Sequence, residues 1–160
     1  MITGELPCAS DNANDSAVAM HLLGDPMAKL EAFLGQLPQI DLQTSHVVHG
    51  RMCARTIFIP AGTALTGVLT NCDNICVLYG DITVTTDEGM RRLIGFNVLP
   101  ANKGYKRAGL AHADTWWTTL IHTDKTEIHE IEDQMTDDSH LLQTRRAGIE
   151  YAPRALEITP

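Results

Sequence analysis

No stretch of this sequence is apolar over the roughly 20 residues that a membrane-crossing helix needs. No basic segment followed by an apolar run stands near its beginning, so neither a membrane anchor nor a secretory leader is expected. Basic residues are also in deficit: 12 Lys and Arg stand against 20 Asp and Glu, a formal net charge of -8. Phosphate binding needs a basic surface, which disfavours nucleic acid as the main partner. An anionic membrane surface is disfavoured in the same way. Aromatic residues make up only 5% of the chain, so the core must rest on Leu, Ile, Val and Ala. Cysteine is sparse. Cys8, Cys53, Cys72 and Cys76 include no Cys-x-x-Cys pair, and their density is below that of a disulfide-stapled secreted domain. A reducing compartment is expected, with each cysteine a small buried apolar residue. The sequence also lacks a Gly-x-Ser-x-Gly elbow, a Walker-type phosphate loop and a dinucleotide-binding glycine pattern. Nothing in it supports nucleophilic catalysis.

What is present suits one domain of 160 residues. Residues 1–24 are small, polar and weakly patterned, and read as an N-terminal arm. A packing helix is expected over 25–38. Asp25 can cap it, Pro26 can occupy its first turn, and Met27, Leu30, Phe33, Leu34 and Leu37 recur at helical spacing until Pro38 ends it. Its apolar stripe must bury itself on the β domain or on a neighbouring subunit.

From 39 to 124 the pattern turns to short runs rich in β-branched residues. These are Ile40–Leu42, His46–Val48, Arg51–Ile59, Ala64–Leu69, Asn74–Tyr79, Asp81–Thr86, Arg91–Ile94, Asn97–Leu99, Tyr105–Ala108 and Thr115–His122. Breaks are expected at Pro60-Ala61-Gly62, Gly80-Asp81, Asp87-Glu88-Gly89 and Pro100 to Gly104. Many short strands with no helix between them predict an all-β sandwich or barrel. Thr85 to Arg91 predicts a hairpin in which Gly89 supplies a positive φ. Residues 125–160 form a C-terminal helix and extension. Ile128, Ile131 and Met135 share a face of the helix, and the polar residues beyond 137 either wrap a neighbour or stay loose.

Ile59-Pro60-Ala61-Gly62-Thr63, followed by Thr70-Asn71-Cys72-Asp73-Asn74 and a strand ending at Gly80, resembles the first motif of the cupin superfamily. In that motif two histidines and a glutamate precede a strand and a glycine turn. Asp73 falls where the family has its glutamate. Gly95, Pro100, Gly104 and His112 echo the second motif, which supplies one more histidine. The run from Ser45 to Thr123, with Leu65-Thr66-Gly67, Thr86-Asp87-Glu88-Gly89, Lys106-Arg107-Ala108-Gly109, Ala111-His112-Ala113-Asp114-Thr115 and Trp117-Thr118-Thr119, looks like a group of small cupin-like proteins encoded by tailed bacteriophages. The resemblance implies a cupin-like jelly-roll barrel.

The residues depart from the family at the metal site. A cupin metal needs about three imidazoles and often a carboxylate, and the window from Gly67 to Gly80 holds no histidine. No metal or other cofactor is therefore expected. Cys72 and Cys76 would sit about 13 Å apart on a regular strand, too far to share an ion. His112, Asp114 and Trp116 alternate on one face of their strand. With Asp73 and Asn74 they are the candidate barrel pocket: either a polar ligand site with Trp116 as its floor, or a His–Asp hydrogen bond beside a ring that fills the barrel. Trp117 is then expected to face outward. Lys103, Lys106 and Arg107 form the one basic patch. His46 and His49 read as a solvated strand end.

The expectation that follows is a non-catalytic, homo-oligomeric module. The phage resemblance implies a virion or assembly component contacting other virion proteins, in the virion or host cytoplasm, without nucleic acid or membrane. The alternatives are a metal-dependent cupin enzyme acting on a sugar or small acid, and a metal-free ligand-binding barrel.

Overall fold

The computed structural model describes residues 1–5 and 25–148. Seven strands make one antiparallel sheet: β1 Ile2–Glu5, β2 Ser45–His49, β3 Met52–Ile59, β4 Thr63–Thr66, β5 Asn74–Thr86, β6 Gly89–Ala101 and β7 Ala108–His122. Helix α1 spans Pro26–Leu34, α2 spans Ile128–Met135, and a 3-10 turn covers Ser139–Leu141.

β7 is the spine. One of its edges takes β4 along Ala108–Leu110 and then β3 along Thr115–His122. The other edge takes β5. β1 lies outside β4, β2 outside β3, and β6 outside β5. The sheet rolls around an apolar interior formed by Leu42, Ile57, Ile59, Leu65, Leu78, Ile82, Val84, Leu93 and Ala111. This all-β, antiparallel architecture with two short helices fits the expected jelly roll. Each of the Leu, Ile and Val side chains of this interior contributes about 1.5–3 kcal/mol when buried. A second cluster, Cys53, Val68, Ile121, Ile131, Met135 and Leu142, seals one end of the barrel under α2.

The local signals explain most elements. Asp25 accepts from Met27 N at 2.9 Å and Pro26 opens α1. The helix stops at Gly35, ahead of Pro38, and packs on its own barrel. Leu34 is fully buried, and Glu31 meets Thr66 Oγ1 at 3.0 Å and Lys106 Nζ at 2.6 Å. Thr86 and Gly89 close the β5–β6 hairpin, with Gly89 at φ +111° and Thr86 Oγ1 donating to Gly89 O at 2.8 Å.

Five expectations need correction. Gly80 is not a turn, because β5 runs straight through it with register shifts against β7 on either side of Asp81. Gly95 likewise lies inside β6, so the expected short runs fuse into two 13-residue strands. Ile40–Leu42 forms no ladder, although Leu42 is buried and its N–H donates to Gln143 Oε1 at 3.0 Å. The head of the expected arm is strand β1, and the segment after α2 folds back as far as residue 148 instead of standing free. Leu142 there is fully buried. Residues 6–24, with Cys8, and residues 149–160 lie outside the described residues.

Candidate functional site

β3 alternates strictly. Cys53, Arg55, Ile57 and Ile59 point inward, while Ala54, Thr56 and Phe58 point outward. Its partner β7 must match face for face. Ile57 pairs with Trp117 and Phe58 with Trp116, so Trp117 packs against the core and Trp116 stands on the outer surface, half exposed. The expected orientation of the two tryptophans is therefore reversed, because the aliphatic residues of β3 set the parity of β7.

His112 and Asp114 go outward with Trp116. His112 Nε2 lies 2.7 Å from Thr83 Oγ1, and Asp114 Oδ1 accepts from Ala61 N at 2.9 Å. Asp73 is exposed and accepts from Lys103 N at 2.8 Å. Of the five pocket candidates only Asn74 lines the barrel cavity. The structure thus separates Asn74 from Asp73, His112, Asp114 and Trp116. Among the described residues no three His, Cys, Asp or Glu side chains converge as metal ligands. The outward His112 and the engaged Asp73 do not fit the metal site of the cupin pattern.

The cavity is open on one side and has a volume of about 110 Å³. Most of its wall is aliphatic, including Ile57, Ile59, Leu65, Ile82 and Val84. Its polar groups are Arg55, Asn74, Cys76, Arg107, Thr119 and, at the rim, Thr70 and Tyr105. No Asp or Glu is among the described residues that line it. The loops at 67–70 and 104–107 are pinned at the rim, where Gly67 N donates to Arg107 O and Gly104 N to Thr70 O, both at 2.8 Å. Arg107 Nη2 reaches Pro100 O at 3.3 Å, and its guanidinium lies 4.5 Å over the Tyr105 ring. Burial pushes the Cys76 thiol up, against the opposing field of Arg107 and hydrogen bonds with Trp117 and Thr119. It is a neutral thiol that contacts Asn74 Oδ1 at 3.4 Å, not an activated nucleophile.

Arg55 is the unusual group. It is only 6% exposed, and its Nε and Nη2 have neither a hydrogen-bond partner nor solvent contact. Burial pulls its pKa down while the fields of Glu132 and Cys53 raise it, and an arginine remains charged regardless. Bare buried donors on a charged group cost about 1–3 kcal/mol or more. Glu132 of α2 has its carboxylate engaged elsewhere: Oε1 accepts from Thr144 Oγ1 at 2.5 Å and Oε2 from Arg145 Nε at 2.6 Å. His46 Nε2 stands 3.4 Å from Glu132 Oε1 with a side chain only 9% exposed. His46 is therefore an inward residue beside Arg55, its cross-strand partner, and not a solvated strand end.

Neither Arg55 nor His46 stood out in the sequence. The one available signal was a lone arginine at an inward position of an alternating Cys-Ala-Arg-Thr-Ile-Phe-Ile run.

The outer face of the sheet is the second candidate. Phe58, Trp116, Tyr79 and Phe96 form a row across β3, β7, β5 and β6, and the Phe58 and Trp116 rings are 4.8 Å apart. A parallel row runs Val47, Ala54, Leu120, Ile75, Pro100, and between the two lie Ser45, Thr56, Thr118, Val77 and Val98. Phe96 is 69% exposed, Tyr79 64% and Trp116 51%.

No protein-family model matches the chain, and no curated protein matches it. Solved structures of similar shape include a cupin superfamily protein from Desulfitobacterium hafniense DCB-2 (13% identity, 51% of this chain and 76% of that one, TM-score 0.42). The cupin domain of Cnp3 from Schizosaccharomyces pombe is another (17% identity, 53% and 65%, TM-score 0.42). KdgF from Halomonas sp. is a third (19% identity, 51% and 78%, TM-score 0.44).

Proposed function

We propose that this chain is a non-catalytic cupin-like module that works as a homodimer, two copies meeting through the outer face of β2, β3, β7, β5 and β6. The observation that carries this reading is the exposed aromatic row Phe58–Trp116–Tyr79–Phe96. Five strands about 4.8 Å apart, crossed by three rows about 7 Å apart, span roughly 500 Å². Ser45, Thr56 and Thr118 are the only aliphatic hydroxyl side chains of this face, and the apolar remainder is of the few hundred Å² at which exposed patches mark contact sites. Doubled across a twofold, the face reaches the roughly 1,000 Å² that a specific interface needs. The three rows contain no charged side chain. In a chain of net charge -8, this is where two identical copies approach with least repulsion, and an isologous contact requires a self-complementary patch.

Phe96→Glu tests it. Each dimer would then bury two unpaired carboxylates, so sedimentation velocity should show a wild-type dimer and a folded variant monomer. A wild-type chain that stays monomeric across the micromolar range overturns the reading. Among the described residues no three His, Cys, Asp or Glu side chains converge as the ligands that a metal-dependent enzyme would use.

The narrower role, a virion or assembly component in the virion or host cytoplasm, rests on the short motifs between Ser45 and Thr123 alone. Quantitative mass spectrometry of purified particles tests it: a fixed multiple of the portal or capsid copy number supports it, and absence from particles rejects it.

A further inference from the structure

We infer that the outer surface at one end of the sheet binds a copper(I) ion through His49, Met52 and His122. The site lies outside the barrel and is complete in one copy, so it does not rest on the dimer.

Three observations converge. The first is register. His49 pairs with Met52 across β2 and β3, and Met52 pairs with His122 across β3 and β7. The three residues form a row beside Val47–Ala54–Leu120, at the margin of the contact face. Cys53 and Ile121 are buried in the cluster under α2, so the adjacent Met52 and His122 project outward. All three residues of the row are exposed. Directly opposed side chains leave their strands about 5 Å apart. Each imidazole therefore has about 5 Å to cover to reach a point above Met52. The ring and a metal–nitrogen bond of about 2 Å span that distance together.

The second observation is the donor set. Neither imidazole makes a side-chain hydrogen bond or ion pair among the described residues. The neighbouring Asp124 is committed, with both carboxylate oxygens accepting from Arg51 at 2.5 and 3.2 Å. That pairing also neutralises the one cation beside the row. What is left is two imidazoles and a thioether. Calcium and magnesium require oxygen ligands. Zinc is held by imidazole, thiolate or carboxylate, of which the row supplies two. A soft thioether between two imidazoles suits copper(I).

The third observation is how firmly the row is held. Gly50 at φ +56° and Arg51 at φ +63° close the β2–β3 hairpin directly after His49 and before Met52. A positive φ is uncommon for a non-glycine residue, and Arg51 is tied down on two sides. Its carbonyl accepts from Thr123 N at 2.9 Å and its guanidinium holds Asp124. Both partners directly follow His122, so these tethers lock the hairpin end to the end of β7. Gln134 Nε2 donates to His122 O at 2.9 Å from α2. The backbone of the row is fixed while its three side chains stay free to close on an ion, which is the pre-organisation a metal site needs.

The probe is copper(I) alone, titrated without oxygen against bicinchoninate, on the full chain carrying methyl-13C methionine. The Met52 methyl signal, assigned by its absence in Met52→Leu, should shift as a single equivalent is added, while the other methionine signals stay in place. Met52→Leu, His49→Gln and His122→Gln should each weaken copper(I) binding by about tenfold or more. These side chains are exposed, so the variants should fold as the wild type does. Cys8→Ser and Cys72→Ser should leave the affinity unchanged, which separates the row from the chain's thiols. Met52→His puts a third imidazole between the other two and should raise zinc affinity by about tenfold or more. An unmoved Met52 signal, an undiminished copper(I) affinity in any of the three row variants, binding lost with either cysteine, or no gain of zinc in Met52→His overturns the proposal. Phe96→Glu should bind copper(I) as tightly as the wild type, so this proposal and the dimer fail separately.

Discussion

Gly80 sits where β5 crosses β7 most closely. Its φ is +153°, and a Cβ built there would lie 2.3 Å from Thr115 Oγ1 and 2.7 Å from Thr115 Cα. Thr115 is fully buried and its Oγ1 donates to Ala113 O at 2.8 Å, so neither it nor the backbone has room to move. Gly80→Ala should therefore cost about 3 kcal/mol in a denaturant titration. The neighbouring tryptophans make a second residue-scale comparison. Trp117→Ala opens a void in the core and should cost about 3–5 kcal/mol. Trp116→Ala loses mainly its ring contact with Phe58 and should cost about 1 kcal/mol in the dilute monomer. Equal losses would mean that the parity of β7 is misassigned. That parity was not legible in the sequence, because Thr115-Trp116-Trp117-Thr118-Thr119 puts one tryptophan and at least one threonine on each face. The inward Ile57 and Ile59 of β3 decide it, and which strand pairs with β7 is a long-range fact. His112 and Asp114 were misplaced for the same reason, whereas Asp73 and Asn74 straddle the start of β5 and only Asn74 falls at an inward position.

Among the elements, α1 and the β5–β6 hairpin were legible because their signals are local: Asp25 and Pro26 for the one, Thr86 to Gly89 for the other. The burial of Glu132 was not. In Glu127-Ile128-His129-Glu130-Ile131-Glu132-Asp133 it reads as one more solvated acid, yet it is only 2% exposed. Residues 144 and 145 return to it from beyond the 3-10 turn and lock α2 against the barrel end. Arg145 also donates to His129 O and to Asp133 Oδ1. Burial pushes the Glu132 carboxyl up, but the nearby His46 imidazole and the hydrogen bonds from Thr144 and Arg145 outweigh it and hold the pKa down, from 4.5 to about 2. The unfolded chain binds this proton more readily than the folded one. The stabilisation is thus complete above about pH 4.5 and is lost as pH falls from there toward 2. Urea midpoints measured across that window should drop for the wild type. Glu132→Gln leaves Arg145 facing a neutral amide and should cost about 3 kcal/mol near neutral pH. Its acid limb should be flatter. A variant that retains the full wild-type acid limb would show that another carboxylate is responsible.

For the whole molecule, charge and contact lie in different places. The net charge of -8 is spread outside the three rows of the β2–β3–β7–β5–β6 face, so two copies that pair there gain apolar burial locally and pay Coulomb repulsion at longer range. Salt screens the second effect over about 8 Å at physiological ionic strength while leaving the first intact. The dimer should therefore tighten when salt is raised from low to physiological, by severalfold in the association constant. An interface held by salt bridges would respond with the opposite sign. Acidification toward the isoelectric point near 5.2 should act in the same direction as salt, because it titrates the repelling charge and touches nothing in the contact rows. Sedimentation equilibrium at two ionic strengths and two pH values gives four association constants. Weakening with salt would relocate the contact to a charged surface and remove the outer sheet face as the dimer interface. Tightening with both salt and acid fits a contact that carries no charge of its own.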